Sequence, residues 1–153
     1  MRLIVAVVGK PRNAGLAAAI GEYETRAARY WPLEVREVRE ERGKAGDSSG
    51  VMKREGERLI DGIGGARIIA CDERGKGMTS REFAQWLSAE RDRAVDIALL
   101  IGGAFGLSDE VRHRSALSLS LAPWTLSHEL ARLVLAEQLY RAGTMVRGEP
   151  YHK

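Results

Sequence analysis

The residues best suited to chemistry fall in four short segments. "IGGAFGLS" (Ile101–Ser108) places Gly102, Gly103 and Gly106 directly after an apolar run. It lacks the Lys-Ser/Thr of a P-loop and the spacing of a dinucleotide G-x-G-x-x-G. A tight strand-to-helix turn would use such glycines for positive φ. Three in five residues exceed what one turn requires and suggest a ligand lying close to the backbone. "CDERGKGMTS" (Cys71–Ser80) reads as a polar loop after a second apolar run, and "LAPWTLSHE" (Leu121–Glu129) as a connection into a helix capped by Ser127. The tail "EPYHK" carries Tyr151 and His152, a stacking ring and a titratable imidazole on what position alone would make a frayed terminus. For moving a proton or meeting an anion, the candidates are His128, Arg132, Arg141, Tyr151 and His152. Three histidines and one cysteine show no metal-ligand spacing, so no metal is expected, and no nucleophile elbow is present.

These segments need elements to hold them. "LIVAVV", "ARIIACD" and "DIALLIGG" are continuous apolar runs of strand length, as strands buried on both faces require, while "LEVREV" and "LSLSLAP" alternate. Helical spacing is found from Ala14 to Trp31, from Val51 to Ile63, from Met78 to Ala94 and from Ser127 to Met145, with a short helix after Ser108. Thr79 and Glu82 have capping-box spacing. Residues 39–50, "REERGKAGDSSG", are expected to form a charged loop. Strands alternating with helices predict an α/β fold, an open and mostly parallel sheet with helices on both faces. Such sheets bind ligands beyond the carboxyl ends of their strands, where the glycine cluster falls.

Length and composition agree. The 153 residues suit one domain spanning 1–153, with 44% hydrophobic and 29% charged residues. No apolar run approaches the ~20 residues of a membrane span, so no membrane partner is expected. Cys71 has no internal partner, which fits a reducing cytoplasm. A net charge of +3 permits an anionic partner without requiring one. The last helix carries Leu130, Leu133, Val134, Leu135, Leu139 and Tyr140 on more than one face, which predicts a homodimer.

Taken in order, "VAVVGK", "RGKAGD…EGERL", "D-x-x-GK-x-x-x-S", "LLIGGAFGLS", "LSHELARLVLAEQLYRA" and "PYHK" resemble a bacterial family of the SPOUT superfamily. That family methylates N3 of a pseudouridine in large-subunit (23S) ribosomal RNA. The resemblance spans nearly the whole chain. It implies a C-terminal trefoil knot and S-adenosylmethionine as cofactor, bound by Cys71, Gly103, Ala122, Pro123, Trp124, Thr125, Leu126 and Ser127. The glycines would then leave room for the cofactor and a crossing loop. The substrate implied is a structured stem-loop of rRNA on the large subunit or the assembled ribosome. The resemblance also puts Tyr151 and His152 on the substrate side of a site shared between two protomers, with His128 and Arg141 as further candidates.

Two positions depart from the family pattern. Cys71 replaces a larger aliphatic residue, and Ser127 and Glu129 flank His128 where prolines are frequent. Neither change removes a reacting group. Arg39–Lys44 and the helix bearing Arg26 and Arg29 offer phosphate contacts. Two other readings remain: a non-catalytic RNA-binding or ribosome-associated module with a relict pocket, and a nucleotide-binding α/β enzyme unrelated to methylation.

Overall fold

The computed structural model describes residues 1–152; Lys153, the end of the tail motif, lies outside the described residues. Five strands, β1 (Leu3–Val8), β2 (Leu33–Val38), β3 (Arg67–Gly77), β4 (Ile97–Ile101) and β5 (Leu117–Ser120), form one sheet in the order β2-β1-β4-β3-β5, and every strand pairing is parallel. β1 and β4 occupy the middle and are buried along their whole length, which is why they read as unbroken apolar runs.

Each face of the sheet carries its own apolar layer. Leu3, Val5, Val7, Leu99 and Ile101 pack beneath α1 (Ala14–Ala27), α3 (Ser80–Asp92) and α5 (His128–Val146). Ile4, Ala6, Val8, Ala98 and Leu100 pack beneath α2 (Ser48–Ile60) and α4 (Asp109–Arg114). Period-two side-chain alternation sends neighbouring residues of β1 to opposite layers. Because the strands run the same way, all five connections that leave their carboxyl ends gather at one edge of the sheet.

Local chemistry sets the helix ends. Thr79 accepts from the Glu82 N–H while the Glu82 carboxylate accepts from the Thr79 N–H, completing the expected capping box. Four boundaries differ from the sequence reading. α1 ends at Ala27, ahead of Trp31. α2 begins at Ser48, three residues early, because the Asp47 carboxylate accepts from the Gly50 N–H and caps it. Residues 72–77 do not leave the sheet as a loop. After an irregularity between Cys71 and Lys76, β3 resumes, and Lys76 and Gly77 pair with Leu119 and Ser120 of β5.

The fourth difference is the tail. Pro150–His152 form a 3-10 turn docked on α5 rather than a frayed end. The Tyr151 ring lies 4.5 Å from that of Tyr140, and the Glu149 N–H donates to the Thr144 carbonyl.

α5 itself is wedged between α1 and α3, which cover much of the apolar surface that had suggested a partner. Leu130, near its start, stays exposed.

Candidate functional site

A cleft of about 440 Å3 opens at the carboxyl edge of the sheet. Its walls are the end of β3 (Cys71–Arg74), the glycine turn (Ile101–Leu107), Arg112 of α4, the segment from Leu121 to Leu126, and His128 with Ala131 at the start of α5. Six of the eight expected cofactor contacts converge here: Cys71, Gly103, Ala122, Trp124, Thr125 and Leu126. Pro123 and Ser127 do not line it. Ser127 serves as the helix cap, its hydroxyl accepting from the Leu130 N–H. A ligand cleft of this size is ordinary for a cofactor.

The glycines have a different explanation from the one the sequence suggested. A Cβ on Gly102 would fall 2.4 Å from the Gly106 backbone, because the turn folds back on itself. Gly106 closes that turn with φ +84° and donates its N–H to the Gly103 carbonyl. A Cβ on Gly103 would meet Glu55 Oε1 at 2.8 Å and the Val8 side chain at 3.1 Å. The missing side chains make room for the protein's own turn and for a buried carboxyl. Crowding by a ligand is not needed to explain them.

Glu55 was not singled out from the sequence, although a signal existed. It occupies the core stripe Val51–Glu55–Leu59 of α2, where an acid is out of place. It is 2% exposed; Oε2 accepts from the Glu41 N–H at 3.1 Å, and Oε1 has no hydrogen-bond partner. Burial pushes its carboxyl above the usual range.

Asp72 is the other acid that sequence reading passed over. It directly follows a strand end, where open α/β sheets place ligands. Burial alone would raise its pKa. The Arg74 N–H and the guanidiniums of Arg112 and Arg74 more than offset this and hold it at about 2. The Arg112–Asp72 ion pair (2.5 Å) fixes one wall of the cleft, and the Thr125 hydroxyl donates to Glu73 across the rim. Cys71 is no nucleophile. Desolvation pushes its thiol up to about 12, so it stays protonated and packs as an apolar group.

The expected catalytic group divides. His128 lines the cleft. Arg141, Tyr151 and His152 lie at the other end of α5, and within one protomer nothing brings them to His128. The Tyr151 hydroxyl donates to Glu137, and the Arg141 guanidinium sits 4.9 Å above the Tyr151 ring. Desolvation, with Tyr23 and Glu137 nearby, keeps that phenol protonated far above neutrality. His152 turns instead into a groove between α3 and α5, lined by Arg81, Gln85 and Met145, with its Nδ1 buried and unpartnered. Arg132 lies outside the main cleft, buried against Glu24 (2.7 Å) and Glu37 (3.5 Å). Among the described residues no group of acids, histidines and cysteine is arranged to hold a metal, and no helix is long and apolar enough to cross a membrane.

A parallel sheet with helices on both faces and a cleft at its carboxyl edge, walled by three connecting segments, defines an α/β protein built to hold a small organic cofactor. Comparison with known proteins narrows the class. The family described as "Predicted SPOUT methyltransferase" matches residues 1–152, and the chain belongs to it. It is similar to the ribosomal RNA large subunit methyltransferase H of Gemmatimonas aurantiaca, with 55% identity and full coverage of both chains. Proteins of the same name from Geobacter sp. (44% identical, 99% of both chains) and Anaeromyxobacter sp. (46%, all of both) are similar as well. Among solved structures, a probable methyltransferase from Bordetella pertussis Tohama I shares the fold, with a TM-score of 0.57 and 15% identity over 92% of this chain and 95% of that one.

S-adenosylmethionine is the cofactor of this family, and the residues present fit it. Ile101, Leu107, Leu121 and Leu126 supply apolar wall for a purine. Glu73 suits a molecule carrying ammonium and sulfonium charge, while Arg74, exposed at the rim although it also contacts Asp72, suits its carboxylate.

Proposed function

We propose that this chain methylates N3 of a pseudouridine in large-subunit (23S) ribosomal RNA, on assembled ribosomes, as a homodimer. The observation that carries the reading is the full-length, 55% identity to a ribosomal RNA large subunit methyltransferase H, on a chain whose cleft gathers the expected cofactor residues. When bound, S-adenosylmethionine supplies an electrophilic methyl group.

The chain's own residues supply alignment and control of one proton. The glycine turn and the backbone from Ala122 to Leu126 hold the cofactor, with Cys71 packing as an apolar contact. Pro123 and Ser127 set the path of that segment rather than touching the ligand. In-line transfer depends chiefly on such positioning. The imide N3 must lose its proton, and His128 is the histidine that lines the cleft and would take it.

Arg141, Tyr151 and His152 act from the partner protomer, since in their own protomer they sit at the far end of α5. There the Tyr151 ring stacks and its hydroxyl, held protonated, donates. Arg141 offers a fixed cation, and the His152 imidazole handles a proton. The reason for dimerisation is thus completion of the site, since α1 and α3 already cover much of the apolar surface of α5.

Two measurements test the reading. Calorimetry should show S-adenosylmethionine bound at one site per chain and ATP unbound. Labelled methyl should then pass to unmodified ribosomes, and mass mapping should find it on N3 of a pseudouridine. Cofactor binding without transfer to ribosomes or rRNA would favour a non-catalytic ribosome-associated module. Absence of cofactor binding would remove the enzymatic reading altogether.

A further inference from the structure

The exposed large apolar side chains of the described chain are Phe105 (56%), Trp124 (78%) and Leu130 (41%). Phe105 and Trp124 line the same cleft from two different segments, the glycine turn and the segment after β5. Neither ring is needed to build the fold, because neither belongs to a core layer. Exposing an aromatic ring to water is unfavourable by roughly 25 cal/mol per Å2, so two rings at one mouth mark a surface that something covers.

The charges around them identify what covers it. The parallel sheet sends the connections after β1 and β2 to this same edge, carrying Lys10, Arg42 and Lys44, and Lys76 stands there in the last residues of β3. All four are exposed and, among the described residues, make no ion pair. Of the nearby acids, Glu40 is taken by Arg12 and Glu41 by Arg54 and Arg58, while Glu82 lies near Lys76 without forming an ion pair with it. At the opposite edge of the sheet Arg2 pairs with Glu34 and Arg67 with Glu90; Arg29 and Arg147 make no ion pair there either, but no exposed large apolar ring accompanies them. One edge thus carries four unpaired cations together with two bare rings.

From this combination we infer that the carboxyl edge of the sheet is a single-strand RNA platform. Lys10, Arg42, Lys44 and Lys76 meet phosphates, and Phe105 and Trp124 stack two unpaired bases at the mouth of the cleft. Stacking on aromatic faces plus cationic tracking of the backbone is how proteins hold unpaired strands, and a duplex offers no free base faces to such rings. The inference rests on the rRNA reading above and deepens it. It says how the strand beside the target base is held open.

The test uses the full-length protein and two labelled RNAs, a 12-nucleotide single strand and a 12-base-pair duplex. Fluorescence anisotropy should show preference for the single strand. Phe105→Ala and Trp124→Ala should each weaken single-strand binding roughly tenfold, leave duplex binding alone, and so erase the preference. Replacing the four cations with alanine should weaken both RNAs and flatten the dependence of log K on log salt by up to about three units for the single strand. Calorimetry with S-adenosylmethionine and light scattering accompany each variant. Single-strand affinity within twofold of wild type in both ring variants overturns the inference, whatever the methylation result. So does conversion of a dimer to a monomer, which would make the rings an interface between copies. If the wild type binds neither S-adenosylmethionine nor ribosomes, the functional reading has failed. If it methylates ribosomes while the ring variants bind RNA normally, only the platform has failed.

Discussion

His128 begins α5, and Tyr151, in the turn that follows that helix, docks against its far half. His128 opens α5 inside the cleft, whereas Tyr151 stacks on Tyr140, twelve residues on and about 18 Å away along the helix axis. A site that uses both must draw them from two protomers. Mixing a His128→Ala chain with a chain lacking its tail should therefore restore activity that neither has alone. Random pairing puts one intact composite site in half of the dimers, so about a quarter of the wild-type rate is expected. Single-turnover methyl transfer to unmodified ribosomes measures it. No recovery, with mixed dimers present by mass spectrometry, would place the two ends in separate roles.

Gly103 and Glu55 should behave as a coupled pair. An alanine at 103 would set its Cβ 2.8 Å from Glu55 Oε1, a clash expected to cost about 1–3 kcal/mol. In a Glu55→Ala background the same substitution should cost clearly less, and urea unfolding of the four chains gives the coupling directly. Additive losses would mean that Val8 or the turn backbone, and not Glu55, excludes a side chain at 103.

Much of this architecture was legible, and what was not shares one cause. β1 and β4 announce themselves because strands buried on both faces must be apolar throughout, and α3 because its cap is local. Residues 72–77 were misread because Asp, Glu, Arg, Gly, Lys and Gly have no strand character of their own. Pairing with β5, more than forty residues later, holds the end of that run extended. The reason for Gly103 escaped for the same cause: Glu55 is 48 positions away in sequence and adjacent only in space. The tail's docking likewise depends on Tyr140 and Glu137 facing it from α5. Of the eight residues named from family resemblance as cofactor contacts, six line one cleft, since a motif carries its spatial arrangement with it.

Asp72 gives the stability curve a specific acid limb. Its pKa falls from the usual 3.8 to about 2 on folding, so its contribution is fully present above pH 4 and is lost as pH drops toward 2. After discounting for solvent screening, that contribution is on the order of 1–2 kcal/mol. Glu55 works in the opposite sense. Its raised pKa makes it a burden that grows as pH climbs through the ordinary glutamate range. Thermal melts between pH 6 and 2.5 should show Asp72→Asn losing most relative to wild type at pH 6, with the gap narrowing steadily below pH 4 and closing only below the folded pKa of about 2. Glu55→Gln should gain on wild type as pH rises. Parallel curves for Asp72→Asn and wild type would show that the Arg112 pairing does not bias folding.

The tail docks on α5, and on the reading proposed above it also serves methyl transfer, so its removal should separate two effects. A chain ending at Glu149 loses the Tyr151 ring from Tyr140, the hydroxyl bond to Glu137, the stacked Arg141 guanidinium and the groove contacts of His152. The aromatic and cation–π contacts together predict a cost of about 1–2 kcal/mol, where sequence alone suggested almost none. That corresponds to a melting temperature lower by about 3–8 °C for a domain of this size. The truncated chain should still fold and bind S-adenosylmethionine, since the cleft lies at the other end of α5. Methyl transfer to ribosomes should fall about a hundredfold, as expected when a positioning or proton-handling group is lost. Two point variants divide the causes. Tyr151→Phe keeps the ring on Tyr140, so it should melt within a degree or two of wild type while losing the donated hydroxyl. His152→Ala empties the α3–α5 groove but leaves Tyr151 docked. If His152→Ala alone reproduces the rate loss at full stability, the imidazole carries the tail's chemistry. If the truncated chain transfers methyl at the wild-type rate despite its lower melting point, Tyr151 and His152 act only in packing.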